Sequence, residues 1–273
     1  MRCPLLQGLR CWLTVVALVC GFEFNAGGEP VKTHNLEGTL HGFLALTTAD
    51  GQVLADGDLI QVVHGDRVTA RLLFHFKDGS VDDETAVFTQ RGAFRLISDH
   101  HIQKGRYFLH PLDLSIDVPK GAVVVRSIGK DGKEEVASEH IGLPPDLYNG
   151  LIPSIVKNLR PETPETKVSM IVATPKPRLV TLAITPRGTE GFALAGAQRK
   201  ALAYQIKIEL GGIAGVIAPI IGKEPPPIQI WIWGGEVPVF LREEGPLFEG
   251  GDILTISLTS PVWPKAGRSD SSK

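Results

Sequence analysis

Cysteine is absent from the chain beyond residue 20. The sequence has 273 residues, and its three cysteines, Cys3, Cys11 and Cys20, all lie in the first 20. If this N-terminal region is removed, the remaining chain can form no disulfide bond. Its stability must then come from an apolar core, for which its 43% of hydrophobic residues is sufficient.

Catalytic and nucleotide-binding motifs are also lacking. The chain has no Gly-x-Ser-x-Gly sequence, and no cysteine beyond residue 20 is available as a nucleophile. The glycine-rich segment 211–215 follows a predicted strand but lacks the Gly-Lys-Ser/Thr ending of a phosphate-binding loop. We therefore expect no cofactor. The sequence favours a non-enzymatic protein and leaves catalysis open.

Neither sign of charge dominates the chain. It has 28 basic and 30 acidic residues, which gives a formal net charge of −2. Proteins that bind nucleic acid usually show a basic excess or a clustered basic patch. We therefore expect no nucleic-acid partner.

The first 28 residues have the features of a secretory signal peptide. Arg2 and Arg10 give a basic start without acidic residues, the apolar run 11–22 follows, and small residues lie beyond it. This run is shorter than the roughly 20 residues that a membrane-spanning helix needs. We expect an exported protein of the periplasm or outer envelope, without a transmembrane span after cleavage. Lipidation of Cys20 is an alternative, although Val19 fits poorly before a lipidated cysteine.

The rest of the chain, 29–260, has the pattern of many strands joined by tight turns. The clearest alternation spans 68–77, where the apolar residues Val68, Phe74 and Phe76 share one face. The pattern predicts a single, mainly β domain: an antiparallel curled β-roll or half-open barrel with one short helical insert near 144–160. The polar tail 261–273 is expected to be disordered.

Local sequence predicts three details of the chain path. Segments 56–58 and 188–191 contain glycine in polar surroundings, so each is predicted to be a turn. Segment 144–160 has apolar residues on one helical face, with Asp146 as a plausible N-cap. Pro153 is expected to divide this helix into two short pieces.

Asp99, His100, His101 and His110 are the best candidates for a metal site. Neighbouring residues of a strand face opposite ways, so Asp99 and His101 can share a face, whereas His100 cannot join them unless the strand bends. No His-x3-His sequence or cysteine pair supports these residues as ligands. We interpret them as polar residues near a strand end and predict no metal.

Two groups of consecutive acidic residues are candidates for glycoside hydrolysis, which uses a pair of carboxyl groups across a cleft. The alternative is that these residues belong to solvated turns. The candidate residues are Asp82, Asp83, Glu84, Glu243 and Glu244.

The predicted strand 228–233 is apolar on both faces. Trp231 and Trp233 lie two residues apart and share one face, and isoleucines occupy the other. Such a strand is either buried on both faces as ordinary core or lines an apolar cavity. In the second case the uncharged segment 211–222 would cover it, and polar residues of adjacent strands would form a rim. The candidate ligand-binding residues are Trp231, Trp233, Ile213, Ile217, Ile221, Arg178, Tyr204 and Lys207.

Three stretches resemble uncharacterised exported proteins of soil bacteria such as Acidobacteria. They are FKDGSVDDETAVFTQRGAFRLISDHHIQKG, VATPKPRLVTLAI and IKIELGGIAGVIAPIIGKEPPPIQIWIWGGEVPVFLREEGPL. The late strand, loop and hairpin are also remotely similar to envelope β-roll proteins of unknown function. This resemblance implies a β-roll fold and an envelope location, and it implies no activity.

These observations support three hypotheses. The leading one is a non-enzymatic exported protein that binds a lipid or another apolar or amphipathic envelope component. The second is a hydrolase of an envelope polymer that uses the paired carboxyl groups. The third is a structural module that binds a partner protein through a sheet edge or an exposed apolar patch.

Overall fold

One antiparallel sheet contains all fourteen strands of the part of the chain that the structure describes. The computed structural model describes residues 28–128, 132–173, 177–194, 197–209 and 225–259. The single described helix is α1 (Ile152–Val156). The strands are β1 (Leu40–Thr48), β2 (Val53–His64), β3 (Arg67–Phe76), β4 (Val81–Thr89), β5 (Arg95–Lys104), β6 (Leu112–Asp117), β7 (Ala122–Ile128), β8 (Glu134–His140), β9 (Thr166–Ala173), β10 (Pro177–Leu194), β11 (Ala197–Glu209), β12 (Ile228–Trp233), β13 (Val239–Gly245) and β14 (Leu254–Thr259).

The strand order joins two meanders at the centre of the sheet. It runs β8-β7-β6-β5-β4-β3-β2-β1-β14-β13-β12-β11-β10-β9, and every paired neighbour is antiparallel. The first and last strands are therefore central, and β8 and β9 form the two edges. The prediction of a mainly β, antiparallel, half-open fold with very little helix is confirmed.

The sheet curls so that its two halves face each other across an apolar interior. Strands β7 and β10, from opposite halves, approach one another. A first apolar cluster contains Phe88 of β4 together with Ile230 of β12, and both side chains are fully buried. A second, smaller cluster contains Phe74, Phe76 and Phe108. Hydrophobic burial on the inner face is thus what holds the halves together.

Strand β3 confirms the predicted alternation. Val68, Phe74 and Phe76 are buried on the inner face, whereas Arg71 and His75 point outward and are exposed. The two faces differ because one covers the core and the other meets solvent.

The prediction of a turn at 56–58 was wrong, because these residues lie inside β2. Gly57 pairs with Phe74 across the sheet, and a Cβ atom at Gly57 would overlap the Phe74 ring. Glycine is therefore present at this position to admit an aromatic ring.

The prediction of a turn at 188–191 was also wrong. Strand β10 continues through this segment and pairs with β11 up to Leu194. The pairing shifts register between Pro186 and Gly188, and Gly188 has a φ of +92°. The glycine thus accommodates a β-bulge in a long strand.

The helical insert is shorter than its apolar pattern suggested. Helix α1 follows Leu151 as its N-cap, and Pro153 lies in its first turn, where a missing N–H is tolerated. The prediction that Asp146 caps this helix was wrong. Its carboxylate instead accepts hydrogen bonds from the backbone N–H of Gly28 at 2.8 Å and the hydroxyl of Ser169 at 3.1 Å.

The segment before α1 covers the edge strand β9. Leu147 forms a parallel bridge with Ser169. The side-chain amide of Asn149 accepts from the N–H of Ile171 and donates to its carbonyl, both at 2.8 Å. Backbone groups that an edge strand would otherwise leave unpaired are therefore satisfied. Within the described residues, no helix is both long and apolar enough to cross a membrane.

Candidate functional site

Polar side chains occupy the inner face between the two apolar clusters. Every second residue of β4 points inward: Asp82 and Glu84 come first, and the buried Ala86 and Phe88 follow. The pairing of β4 with β5 places three further polar residues beside them. Glu243 of β13, from the other half of the sheet, completes the set. We call Asp82, Glu84, Asp99, His101, Gln103 and Glu243 the inner polar cluster.

Hydrogen bonds fix the Asp82 side of the cluster. Nε2 of His101 lies 2.7 Å from Oδ1 of Asp82, and the Gln103 amide donates to Oδ2 of Asp82 at 3.1 Å. The same amide donates to the carbonyl of Leu247 at 3.0 Å, which links β5 to the segment after β13. Nδ1 of His101 lies 4.0 Å from Oε1 of Glu84. The imidazole is therefore held between two carboxyl groups.

His101 is favoured in its charged form. Burial opposes the imidazolium, but the charge of Glu84 and the hydrogen bond to Asp82 outweigh it and raise the pKa of His101 to about 9. At neutral pH the ring carries a positive charge and offsets one of the neighbouring carboxylates.

Burial raises the pKa values of three further carboxyl groups of the cluster. Burial, together with the charge of Glu84, raises the pKa of Glu243 to about 7. Burial first and the charge of Glu84 second raise the pKa of Asp99 well above its usual value. Burial also raises the pKa of Glu84, although His101 opposes this rise. The effect of Glu84 on Glu243 shows that the curl brings β4 and β13 close together.

Within the described residues, neither carboxylate oxygen of Asp99 makes a hydrogen bond of normal geometry, and the residue is only 2% exposed. The backbone N–H of His100 lowers the pKa of Asp99, but burial outweighs this effect. An isolated buried carboxyl group is costly, so Asp99 is the least satisfied group of the cluster.

The structure separates the histidines that were considered as metal ligands. Asp99 and His101 share the inner face, as the alternation predicted. His100 points outward and lies 3.0 Å from Asp113, and His110 is exposed in a loop. In the described ranges, no group of three or more His, Cys, Asp or Glu side chains is arranged to hold a metal ion.

The five candidate carboxyl groups divide between the two faces. Asp82, Glu84 and Glu243 belong to the inner polar cluster. Asp83 points outward and forms two hydrogen bonds with Arg71, at 2.8 and 2.7 Å. Glu244 is also on the outer face, in an ion pair with Arg242. Strand alternation alone accounts for this division.

The two tryptophans of β12 lie on the outer face of the sheet, half-buried. They pair with Ala203 and Ala201 of β11, whose small side chains are buried beneath them. Nε1 of Trp231 donates to Oε2 of Glu190 at 2.9 Å. On the opposite face, Ile230 and Ile232 are fully buried in the core. The strand is therefore core on one face and partly accessible on the other.

Two arginines flank these indoles. The guanidinium of Arg242 lies 5.1 Å from the centre of the Trp231 ring, and that of Arg199 lies 5.7 Å from the centre of the Trp233 ring. Phe192 packs edge-on against Trp233 at 6.3 Å. We call Trp231, Trp233, Phe192, Arg199 and Arg242 the outer aromatic face. It combines apolar rings with cationic groups, which interact favourably by the cation–π effect.

The other candidate ligand-binding residues are distributed over both faces. Lys207 shares the outer face with the tryptophans and is exposed, because it lies at the same alternation as Ala203. Tyr204 is on the opposite face, buried, and its hydroxyl donates to the carbonyl of Leu159 at 3.4 Å. Arg178 is exposed near the start of β10. Ile213, Ile217 and Ile221 lie outside the described residues.

Two features of the sequence were not recognised as informative. The spacing Asp82-x-Glu84 and Asp99-x-His101-x-Gln103 continues the inward alternation of each strand, which would have placed all five side chains inside. The sequence Ser-x-x-Lys also occurs at 154–157, a spacing used by some acyl-transfer enzymes. In the structure, Nζ of Lys157 is 2.6 Å from Glu37, so this amine serves as an ion-pair partner.

Comparison with known proteins gives one structural match. No family model and no curated protein sequence matches the chain. Among solved structures, the hypothetical lipoprotein YmcC from Escherichia coli K12 matches over 82% of this chain and 86% of its own, with 11% identity and a TM-score of 0.38. The resemblance to exported proteins of soil bacteria stays a prediction from the sequence.

Proposed function

We propose that the protein is exported to the cell envelope and binds an apolar or amphipathic component there, without catalysis. Export is supported by the basic start and short apolar run of residues 1–22. Binding is supported by the outer aromatic face, where two indoles remain half-accessible beside two guanidinium groups. An amphipathic molecule can place its apolar part on the rings and its polar part against the arginines.

The observation that carries this proposal is the position of the tryptophans above Ala201 and Ala203. The indoles lie over these small, buried side chains and remain partly exposed on the outer face. A tryptophan that served only the core would lie on the inner face with Ile230.

Native mass spectrometry tests the proposal. The protein, purified from a bacterial periplasm without detergent, is expected to carry a discrete added mass. Trp231→Ala and Trp233→Ala should lose it, whereas Val237→Ala, at a residue that is 77% exposed, should keep it. A folded protein without added mass would contradict binding and would favour the third hypothesis, a module that binds a partner protein.

A second candidate function is hydrolysis of an envelope polymer by Glu84 and Glu243. The specific observation in its favour is that these carboxyl groups lie on facing halves of the curled sheet and that the charge of Glu84 helps to raise the pKa of Glu243. The rise in the pKa of Glu243 to about 7 is what a general acid requires, and an ionised Glu84 would be its partner.

Release of soluble fragments from isolated bacterial envelope polymer tests this second function. Glu243→Gln should abolish release, because the amide cannot donate a proton. Glu244→Gln is the matched control, since it changes the adjacent residue on the outer face. Equal activity of the two variants, or no activity in the unmodified protein, would exclude hydrolysis at this pair.

A further inference from the structure

We propose that the inner polar cluster binds a primary ammonium group, held by the carboxyl groups of Glu84 and Asp99. This inference goes beyond both functions above. It concerns the chemical group that the cluster recognises, whether or not a bond is cleaved there, and it is independent of the outer aromatic face.

The unsatisfied carboxyl group of Asp99 is the first observation. A side chain that is 2% exposed and lacks hydrogen bonds at both oxygens normally has a partner, such as a bound ligand. Gly150 packs over this carboxyl group without a side chain, and a Cβ atom there would lie 3.0 Å from Oδ1 of Asp99. The same Cβ would lie 3.4 Å from Cδ of Glu84, so the two carboxyl groups flank one point.

The balance of charge in the cluster is the second observation. Asp82 is hydrogen-bonded to His101, which leaves Glu84 and Asp99 with only that one imidazolium nearby. Within the described residues, no lysine or arginine forms an ion pair with either of these two. A bound cation would restore the balance, because it would let both groups ionise.

The geometry favours an ammonium group over a metal ion. Metal ions such as Ca²⁺ need several oxygens at about 2.3–2.6 Å, and the described residues offer no such arrangement. An ammonium group donates three hydrogen bonds at roughly 2.7–2.9 Å and can be shared by carboxyl groups on separate strands. The carboxyl groups of Glu84 on β4 and Asp99 on β5 can accept two of its three donors.

The cluster can be reached from solvent. The side chains of His101 and Glu84 are 20% and 23% exposed, whereas Asp99 lies deeper. An amine on a narrow chain would approach Asp99 from the side of these two partly exposed side chains. The recognised ligand class is an envelope molecule with a primary amine at the end of a flexible or sugar-like stem.

Calorimetric titration with cadaverine tests the proposal, with pentane-1,5-diol as its neutral counterpart. At pH 8 cadaverine should bind and the diol should not, because only the amine carries charge. Binding should weaken as the pH is lowered to 5, since the carboxyl groups then become neutral. Equal binding of the two compounds, binding that does not change with pH, or no binding would overturn the proposal.

Isosteric variants locate the site. Asp99→Asn and Glu84→Gln should each weaken cadaverine binding by about tenfold or more, because each removes a charge-assisted hydrogen bond. Asp83→Asn, on the outer face of the same strand, should leave binding unchanged. An equal loss in all three variants, or binding of Ca²⁺ or Mg²⁺ that excludes cadaverine, would contradict an ammonium site. A protein that binds cadaverine but releases no polymer fragments would retain this site and lose only the hydrolytic function.

Discussion

The charge of Glu84 on β4 acts on Glu243 of β13, although four strands, β3, β2, β1 and β14, separate β4 from β13 in the order of the sheet. The curl of the sheet makes this possible, because it places the two strands on facing walls of the interior. Both residues belong to the inner polar cluster, which lies between the first and second apolar clusters. Their coupling makes the fold itself sensitive to pH.

The first prediction is that the free energy of unfolding falls as the pH rises from about 5 to about 9. The pKa of Glu243 rises from 4.5 to about 7 on folding, and that of His101 rises from 6.5 to about 9. A group whose pKa is raised stabilises the fold while it stays protonated, and that contribution is lost as the pH rises through the folded-state pKa. Urea unfolding at a series of pH values measures the trend.

Substitution separates the two contributions. Glu243→Gln should reduce the loss of stability on the acidic side of this range, where Asp99 and Glu84 also contribute, and leave the loss near pH 9. Glu244→Gln should leave both unchanged. If Glu243→Gln shows the same profile as the unmodified protein, Glu243 does not titrate as we expect.

The second prediction concerns Gly57. Gly57→Ala should lower the free energy of unfolding by about 1–3 kcal/mol, because the new methyl group overlaps the ring of Phe74 and forces the core to shift. Gly38→Ala is the control, since no atom lies within 4 Å of its Cβ position. Chemical unfolding of both variants measures the difference. Equal stability would show that Phe74 can move away at no cost.

The third prediction concerns the buried hydroxyl of Tyr148. It accepts from the N–H of Val31 at 2.8 Å and donates to the carbonyl of Phe94 at 3.2 Å. Tyr148→Phe leaves both backbone groups unsatisfied and should cost about 1–3 kcal/mol. Tyr107→Phe, at a partly exposed tyrosine, should cost less. The thermal unfolding midpoints of the two variants decide the matter, and the prediction fails if Tyr107→Phe proves the more damaging.

The fourth prediction concerns the covered edge of β9. Asn149→Asp keeps the acceptor for the N–H of Ile171 but turns a second oxygen toward the Ile171 carbonyl. The resulting repulsion and buried charge should destabilise the protein and release the covering segment. Light scattering during mild heating should then show earlier aggregation, because an uncovered edge strand pairs with other chains. Unchanged aggregation would show that the edge is protected by other means.

Sequence patterns predicted well the strands in which apolar and polar residues alternate regularly, or whose two ends are marked by proline and glycine. Strand β3 alternates strictly, and β12 is bounded by prolines and glycines, so their positions were predicted well. Strand β2 was cut short because Asp56, Gly57 and Asp58 have the composition of a turn. Only the ring of Phe74, brought alongside by the pairing of β2 with β3, explains the glycine.

The candidate sites were less accessible to sequence reasoning. Alternation indicates which face a residue occupies, so the opposite orientations of Asp82 and Asp83 could have been predicted. The proximity of Glu84 to Glu243 could not, because it depends on how far the sheet curls. The same limit applies to β12, because both of its faces are apolar in sequence. The sequence alone therefore could not tell that the isoleucines form the core and that the tryptophans are partly exposed to solvent.

The adjacency of β1 and β14 has a consequence for the order of folding. Every other pairing joins consecutive strands, whereas this one joins residues 43–48 to residues 254–259. Closing so long a loop carries a large entropic cost before any contact compensates for it. The two meanders should therefore assemble separately. The pairing of β1 with β14 should be the slow, late step that brings the two walls of the interior together.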